Sequence, residues 1–254
     1  MRDFYTVRVN FRGGITTPTE LQNILQIARE CQVYKVRFGL RQQMFFDLPR
    51  NFSKLFQQKA QEQDLLFQFD DNNHPNIVSS YVAEDVFQKG NWLTEPLYKD
   101  IFATFDYEPR LKINISDAEQ SFSPLFSGHL NFVSSPTPNH WYLHIRIPKS
   151  NKVYLYPELI FSDDIAKVAW QIENKYFSFD HSNNINVTLL FTSISVKRNI
   201  PAEIPFEPSI FSLPYYEGFN RYGDKSWLGI YRRNELFSVD FFTSYLPFST
   251  TNQS

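Results

Sequence analysis

Apolar and polar positions alternate at the start of the chain. From Phe4 to Phe11, Tyr5, Val7 and Val9 share one parity, and Thr6, Arg8 and Asn10 share the other, which is the period of a strand. Gly13-Gly14 breaks it. Thr17-Pro18-Thr19-Glu20 then predicts a helix start. Thr17 can cap the first turn, Pro18 sits where a missing N–H costs nothing, and Glu20 completes a capping box. Leu21, Ile24, Leu25, Ala28 and Cys31 follow at helical spacing, which turns Cys31 toward the core as a small apolar residue rather than a reactive thiol. Val36, Phe38, Leu40, Met44, Phe46 and Leu48 again share one parity, but Gln42 interrupts that face just after Gly39. Two strands joined by a bulge or tight turn at Gly39–Gln42 are expected. Phe52, Leu55, Phe56 and Lys59 predict a second helix. The result is a compact α+β unit over residues 1–70, followed by an Asp70-Asp71-Asn72-Asn73 linker.

A second unit is expected over 75–198. Thr94-Glu95-Pro96 predicts a helix start before Leu97, Ile101 and Phe105. Lys112–Ile115 and Leu130–Val133 predict short strands. Trp141–Ile147 is the clearest strand, with Trp141, Leu143, Ile145 and Ile147 inward and Tyr142, His144 and Arg146 outward. Ser162-Asp163-Asp164 opens an amphipathic helix along Ile165, Val168, Ala169, Ile172 and Tyr176, its acidic first turn suited to the helix dipole. Asn186–Ile194 is expected to close the unit as a strand. Residues 199–214 hold four prolines and predict a linker. Strands at Trp227–Tyr231 and Leu236–Phe242 follow, and such a hairpin needs something to pack against. They fit either a plain C-terminal hairpin or the beginning of an internal repeat, since Ile230–Leu236 faintly echoes Val9–Ile15.

Composition narrows the classes. A net charge of −2 over 254 residues gives no global signal for nucleic acid or membrane. No apolar run reaches the ~20 residues of a membrane-spanning helix, and the N-terminus lacks the order of a signal peptide, so a cytoplasmic protein is expected. One cysteine cannot form an internal disulfide or a thiolate-rich metal site. His140 and His144 lie ~13 Å apart along a strand, too far to chelate one ion, so no metal site is expected. Nucleotide-binding and hydrolase motifs are absent. What remains is a set of basic residues at break points: Arg8, Arg12, Arg41, Arg110 and Lys112. They are either solvated surface charges or cations converging on a cleft that takes a multiply anionic ligand.

The run Arg8-Val-Asn-Phe-Arg-Gly13-Gly14-Ile15-Thr16-Thr17, then Val36-Arg37-Phe38-Gly39-Leu40-Arg41-Gln42, resembles the start of the siroheme-dependent nitrite and sulfite reductases. Pro75-Asn76-Ile77-Val78 resembles that family's Arg-Asn-Ile/Val segment, and Glu108-Pro109-Arg110-Leu111-Lys112-Ile113 resembles its Pro-Arg-Lys-Phe-Lys strand. The resemblance implies a ferredoxin-like half-domain over 1–70, an α/β siroheme-reductase-like domain over 75–198, and over 199–254 a linker with the opening strands of a second ferredoxin-like half. It implies a truncated repeat, completed by a second repeat or by a homodimer partner. Carried over by position, Arg8 and Lys112 would bind the substrate anion, nitrite or sulfite. Arg41, Gln42, Asn76 and Arg110 would line siroheme, with an electron donor as further partner. The sequence departs from the family in three places. Pro75 replaces a substrate-binding arginine, one lysine stands where the family has two, and Pro148-Lys-Ser-Asn-Lys152 replaces a glycine-rich stretch. The four cysteines of a [4Fe–4S] cluster are not in this chain, so the cluster is not supported by it.

Overall fold

A computed structural model describes residues 3–83, 92–123, 126–147, 153–179, 187–195, 200–202, 229–233, 236–240 and 245–247. Pro148–Lys152 and most of the proline-containing stretch, both considered above, lie outside them.

In the first unit, β1 (Phe4–Asn10), α1 (Pro18–Glu30), β3 (Lys35–Gly39), β4 (Gln43–Pro49), α2 (Ser53–Glu62) and β5 (Phe67–Phe69) run in chain order, with the two-residue strand β2 (Ile15–Thr16) ahead of α1. The sheet order is β3-β4-β1-β5, all antiparallel, which is the arrangement of a βαββαβ ferredoxin-like unit. The predicted capping box at Thr17 and Glu20 is present. One hydrophobic cluster fills the space between sheet and helices, including Val7, Val9, Ile24, Val36, Met44, Phe46 and Phe56. Cys31 lies fully inside it, and burial raises its thiol pKa. The β3–β4 connection is a tight turn closed by the Gln42 amide on the Gly39 carbonyl at 2.9 Å, with Gln42 in the left-handed region at φ 54. Placing a non-glycine residue there is uncommon, and it needs outside support.

In the second unit, β6 (Val78–Ser79), β7 (Ile113–Ser116) and β8 (Leu130–Ser134) run parallel. β9 (His140–Arg146) joins β8 antiparallel, and β10 (Val153–Leu155) and β11 (Ile160–Phe161) pair with β9. The helices α3 (Glu95–Ala103) and α4 (Ile165–Ser178) bury Ile101, Val168, Ala169 and Ile172 in one cluster with Ile113, Ile115, Leu130, Phe132, Trp141, Leu143 and Ile145. The second face of β9 was expected to face outward. It is covered instead: Tyr142 packs with Phe126, Val133 and Leu159, and the His144 ring meets that of Phe126 at 4.9 Å.

The strand expected at Asn186–Ile194 is instead a short helix, α5 (Val187–Phe191). A short apolar run carries no decisive period, and packing decides it. Leu190 enters the core beside α4, and Phe191 meets the Tyr156 ring edge-on at 5.4 Å. At the C-terminal end, β12 (Gly229–Arg233) and β13 (Leu236–Asp240) form a hairpin whose second strand pairs with β2, and β14 (Tyr245–Pro247) pairs with the outer edge of β3. Among the described residues, no helix is long and apolar enough to cross a membrane.

Candidate functional site

The register of the second sheet sets up a row of polar side chains. Ile113, Leu130 and Ile145 are paired across β7, β8 and β9 and point into the helix-covered core. The flanking positions therefore point to the opposite face, because side chains alternate along a strand. One row on that face is Asn114, Asn131 and His144. The next, at the end of the sheet, is Lys112, His129 and Arg146. Backbone bonds hold it in line: the His129 amide reaches the Lys112 carbonyl at 2.7 Å, and the Arg146 amide reaches the His129 carbonyl at 2.7 Å.

The loop before β8 makes room for these rows. The Gly128 amide donates to Asn131 Oδ1 at 3.0 Å, and Asn131 Nδ2 returns a bond to the Gly128 carbonyl at 3.0 Å. A side chain at Gly128 would meet the Leu130 carbonyl at 2.6 Å, so only glycine lets the loop lie this close.

Arg41 enters from the first unit on the β3–β4 turn. Its Nε and Nη2 donate to the Asn76 carbonyl at 3.1 and 2.7 Å, Nη2 also to the Ile113 carbonyl at 2.8 Å, and Nη1 to Asn114 Oδ1 at 3.1 Å. Burial lowers its pKa to about 9, and it stays charged at neutral pH. Arg8 projects from β1, lies over the Phe45 ring at 5.2 Å, and donates Nη1 to the Asp71 carbonyl and to Asn72 Oδ1 at 2.7 Å.

These cations act on one another. Burial first, and then Arg41, Arg146 and Arg8, lower the Lys112 pKa. Burial, Lys112, Arg41 and Arg146 hold His129 down to about 4, so it is neutral at physiological pH. Among the described residues, the charges that act on Lys112 and His129 are positive. Asp71 offsets part of the charge at Arg8; the remaining like charges repel each other, and an anion relieves that repulsion.

The candidate residues do not all join this cluster. Arg8, Arg41 and Lys112 do. Gln42 and Asn76 are committed to joining the two units. Gln42 Nε2 donates to the Ser79 carbonyl at 2.8 Å and its Oε1 accepts from the Ser79 amide at 2.9 Å, which supports the strained turn. Asn76 Nδ2 donates to the carbonyls of Phe11, Arg41 and Gln42. Arg110 points elsewhere, its guanidinium 3.7 Å from the Phe177 ring centroid, while its amide donates to Glu173. Arg12 is held by the carbonyls of Phe102 and Phe105 and by Glu108. The sequence reading missed His129 and Arg146 as site residues. Their signal was period-two alternation: polar 112, 129 and 146 each stand next to a core position at 113, 130 and 145.

Residues 1–49 match the family described as the nitrite/sulfite reductase ferredoxin-like half domain. The chain carries that half-domain. Beyond the matched segment, the same unit continues through α2 and β5 to complete its sheet. A solved structure, that of the Mycobacterium tuberculosis NirA protein, is similar at 14% identity and a TM-score of 0.49, covering 68% of this chain and 34% of its own. The chain thus spans about a third of that protein's length. No curated protein matches.

Proposed function

We propose that the chain is the N-terminal portion of a siroheme-dependent nitrite or sulfite reductase-like oxidoreductase, and that the half-domain and the second sheet together present a cationic wall to a tetrapyrrole and its oxyanion. The observation that carries this reading is that Arg41, Arg146 and Arg8, cations from three separate elements, all act on Lys112. Siroheme bears many peripheral carboxylates, and these fit a wall of lysine, arginine and N–H donors. When bound, siroheme would supply the iron centre on which the oxyanion is reduced. Arg8, Lys112 and Arg146 would hold the anion, and Lys112 is the group able to give a proton to an oxygen as its bond breaks. Arg41 would act mainly by field and by fixing the two units, because its guanidinium is spent on carbonyls.

The only cysteine, Cys31, is buried in the first core, so a four-thiolate cluster has to come from a second repeat or another chain. The electron donor and reduction of nitrite or sulfite belong to that larger assembly, acting in the cytoplasm. Pro75 at a position the family fills with arginine favours a second reading, a binding module that holds a tetrapyrrole or anion without redox turnover.

Titration of the purified protein with siroheme tests the proposal. A Soret-region shift is expected, with affinity at least about tenfold weaker in Lys112→Met and unchanged in Arg110→Ala. Lack of binding at micromolar siroheme, or equal loss in both variants, would refute it.

A further inference from the structure

We infer that His129 is a ligand-contacting residue of this site, presenting a neutral Nε2–H donor to the bound anion beside Lys112 and Arg146. The inference rests on the reading of the cluster as an anion site. The Lys112 amide donates to His129 Nδ1 at 3.0 Å. A backbone amide can only donate, so Nδ1 must be the unprotonated nitrogen and the ring proton must sit on Nε2. Among the described residues, the hydrogen bond at this ring is the one at Nδ1. Protonating this ring would place the ring's second N–H at Nδ1, against the Lys112 amide, and a fourth positive charge among Lys112, Arg41 and Arg146. Both effects keep the ring neutral, so the site gains a donor without gaining charge.

This predicts an anion contact that does not depend on pH where an ordinary histidine would titrate. The three cations supply attraction that acts equally on any anion, whereas a fixed N–H rewards an oxygen at one place. His129 would therefore set which oxyanion geometry is preferred.

The test uses sulfate, which does not titrate near neutrality, with the full chain. Calorimetry in buffers of differing ionisation enthalpy is expected to show sulfate binding with no proton uptake from pH 6 to 8. His129→Gln, whose amide nitrogen can stand near Nε2, is expected to keep affinity within about threefold. His129→Phe is expected to lose about tenfold, the worth of one charge-assisted hydrogen bond. Nitrogen NMR of the imidazole should show the Nε2-protonated tautomer with and without sulfate. Proton uptake on binding, an Nδ1-protonated tautomer, or His129→Phe binding as well as wild type would each overturn the inference while leaving the cationic site standing. Absence of sulfate binding in every form, wild type included, would remove the anion site itself and the inference with it.

Discussion

Two imidazoles, His144 buried and His129 half-buried, make the molecule sensitive to acid. Burial depresses the pKa of both His129 and His144 to about 4, and cationic neighbours add to the effect at His129. The unfolded chain titrates near the ordinary histidine value of roughly 6.5. Below that pH the unfolded state binds protons that the folded state refuses, so the stability both rings contribute is complete above about 6.5 and is lost as pH falls toward 4. Full loss approaches roughly 3 kcal/mol per ring. Thermal melts between pH 7 and 4.5 should therefore show a steep decline in Tm. His129→Gln should flatten the slope of that decline whatever it does to stability at pH 7. A slope equal to that of wild type would mean that the ring charges freely in the folded state.

At the scale of elements, most of what forms each strand and helix is local. The α1 cap, the alternation of β1 and the apolar stripe of α4 are each dictated by neighbours in sequence. The Gly39–Gln42 break was also legible, as a bulge or a tight turn, and the structure makes it a tight turn. Two elements were not. α5 depended on what lay beside it, and the outward face of β9 reads as solvent-facing until Phe126 and Leu159 are brought over it. The outer edge of β3 is a further case, since its partner β14 arrives from about two hundred residues away. A chain ending after Asp240 lacks that partner. Hydrogen exchange should then show the outward amides of Lys35–Gly39 exchanging at least about tenfold faster than in the full chain. Unchanged exchange would show that this pairing contributes nothing to the sheet.

For the whole molecule, the junction between the two units carries both stability and site geometry. Arg41, Gln42 and Asn76 make a continuous set of bonds from the β3–β4 turn to the starts of β6 and β7. Removing a partner leaves buried amides and carbonyls unpaired, which costs more than the bond itself is worth. Gln42→Leu strands both polar groups of Ser79 and withdraws support from a left-handed backbone position. It should lower unfolding free energy by about 2–4 kcal/mol in denaturant titrations, and weaken sulfate binding because Arg41 moves with the turn. A stable variant with intact sulfate affinity would show that the units hold together by other means.

Local pattern alone determined the α+β class, the capped start of α1, the break after Gly39 and the resemblance that led to the half-domain. It also placed Arg8, Arg41 and Lys112 among the residues to watch, because arginine and lysine at strand ends are visible as types. It did not show which of them share a neighbourhood, since that depends on sheet register and on how the two units meet. Only the fold put His129 and Arg146 in line with Lys112, turned Arg110 onto Phe177, and committed Gln42 and Asn76 to the junction. Alternation along a strand says that a residue faces away from the core, and only pairing between strands says what it faces.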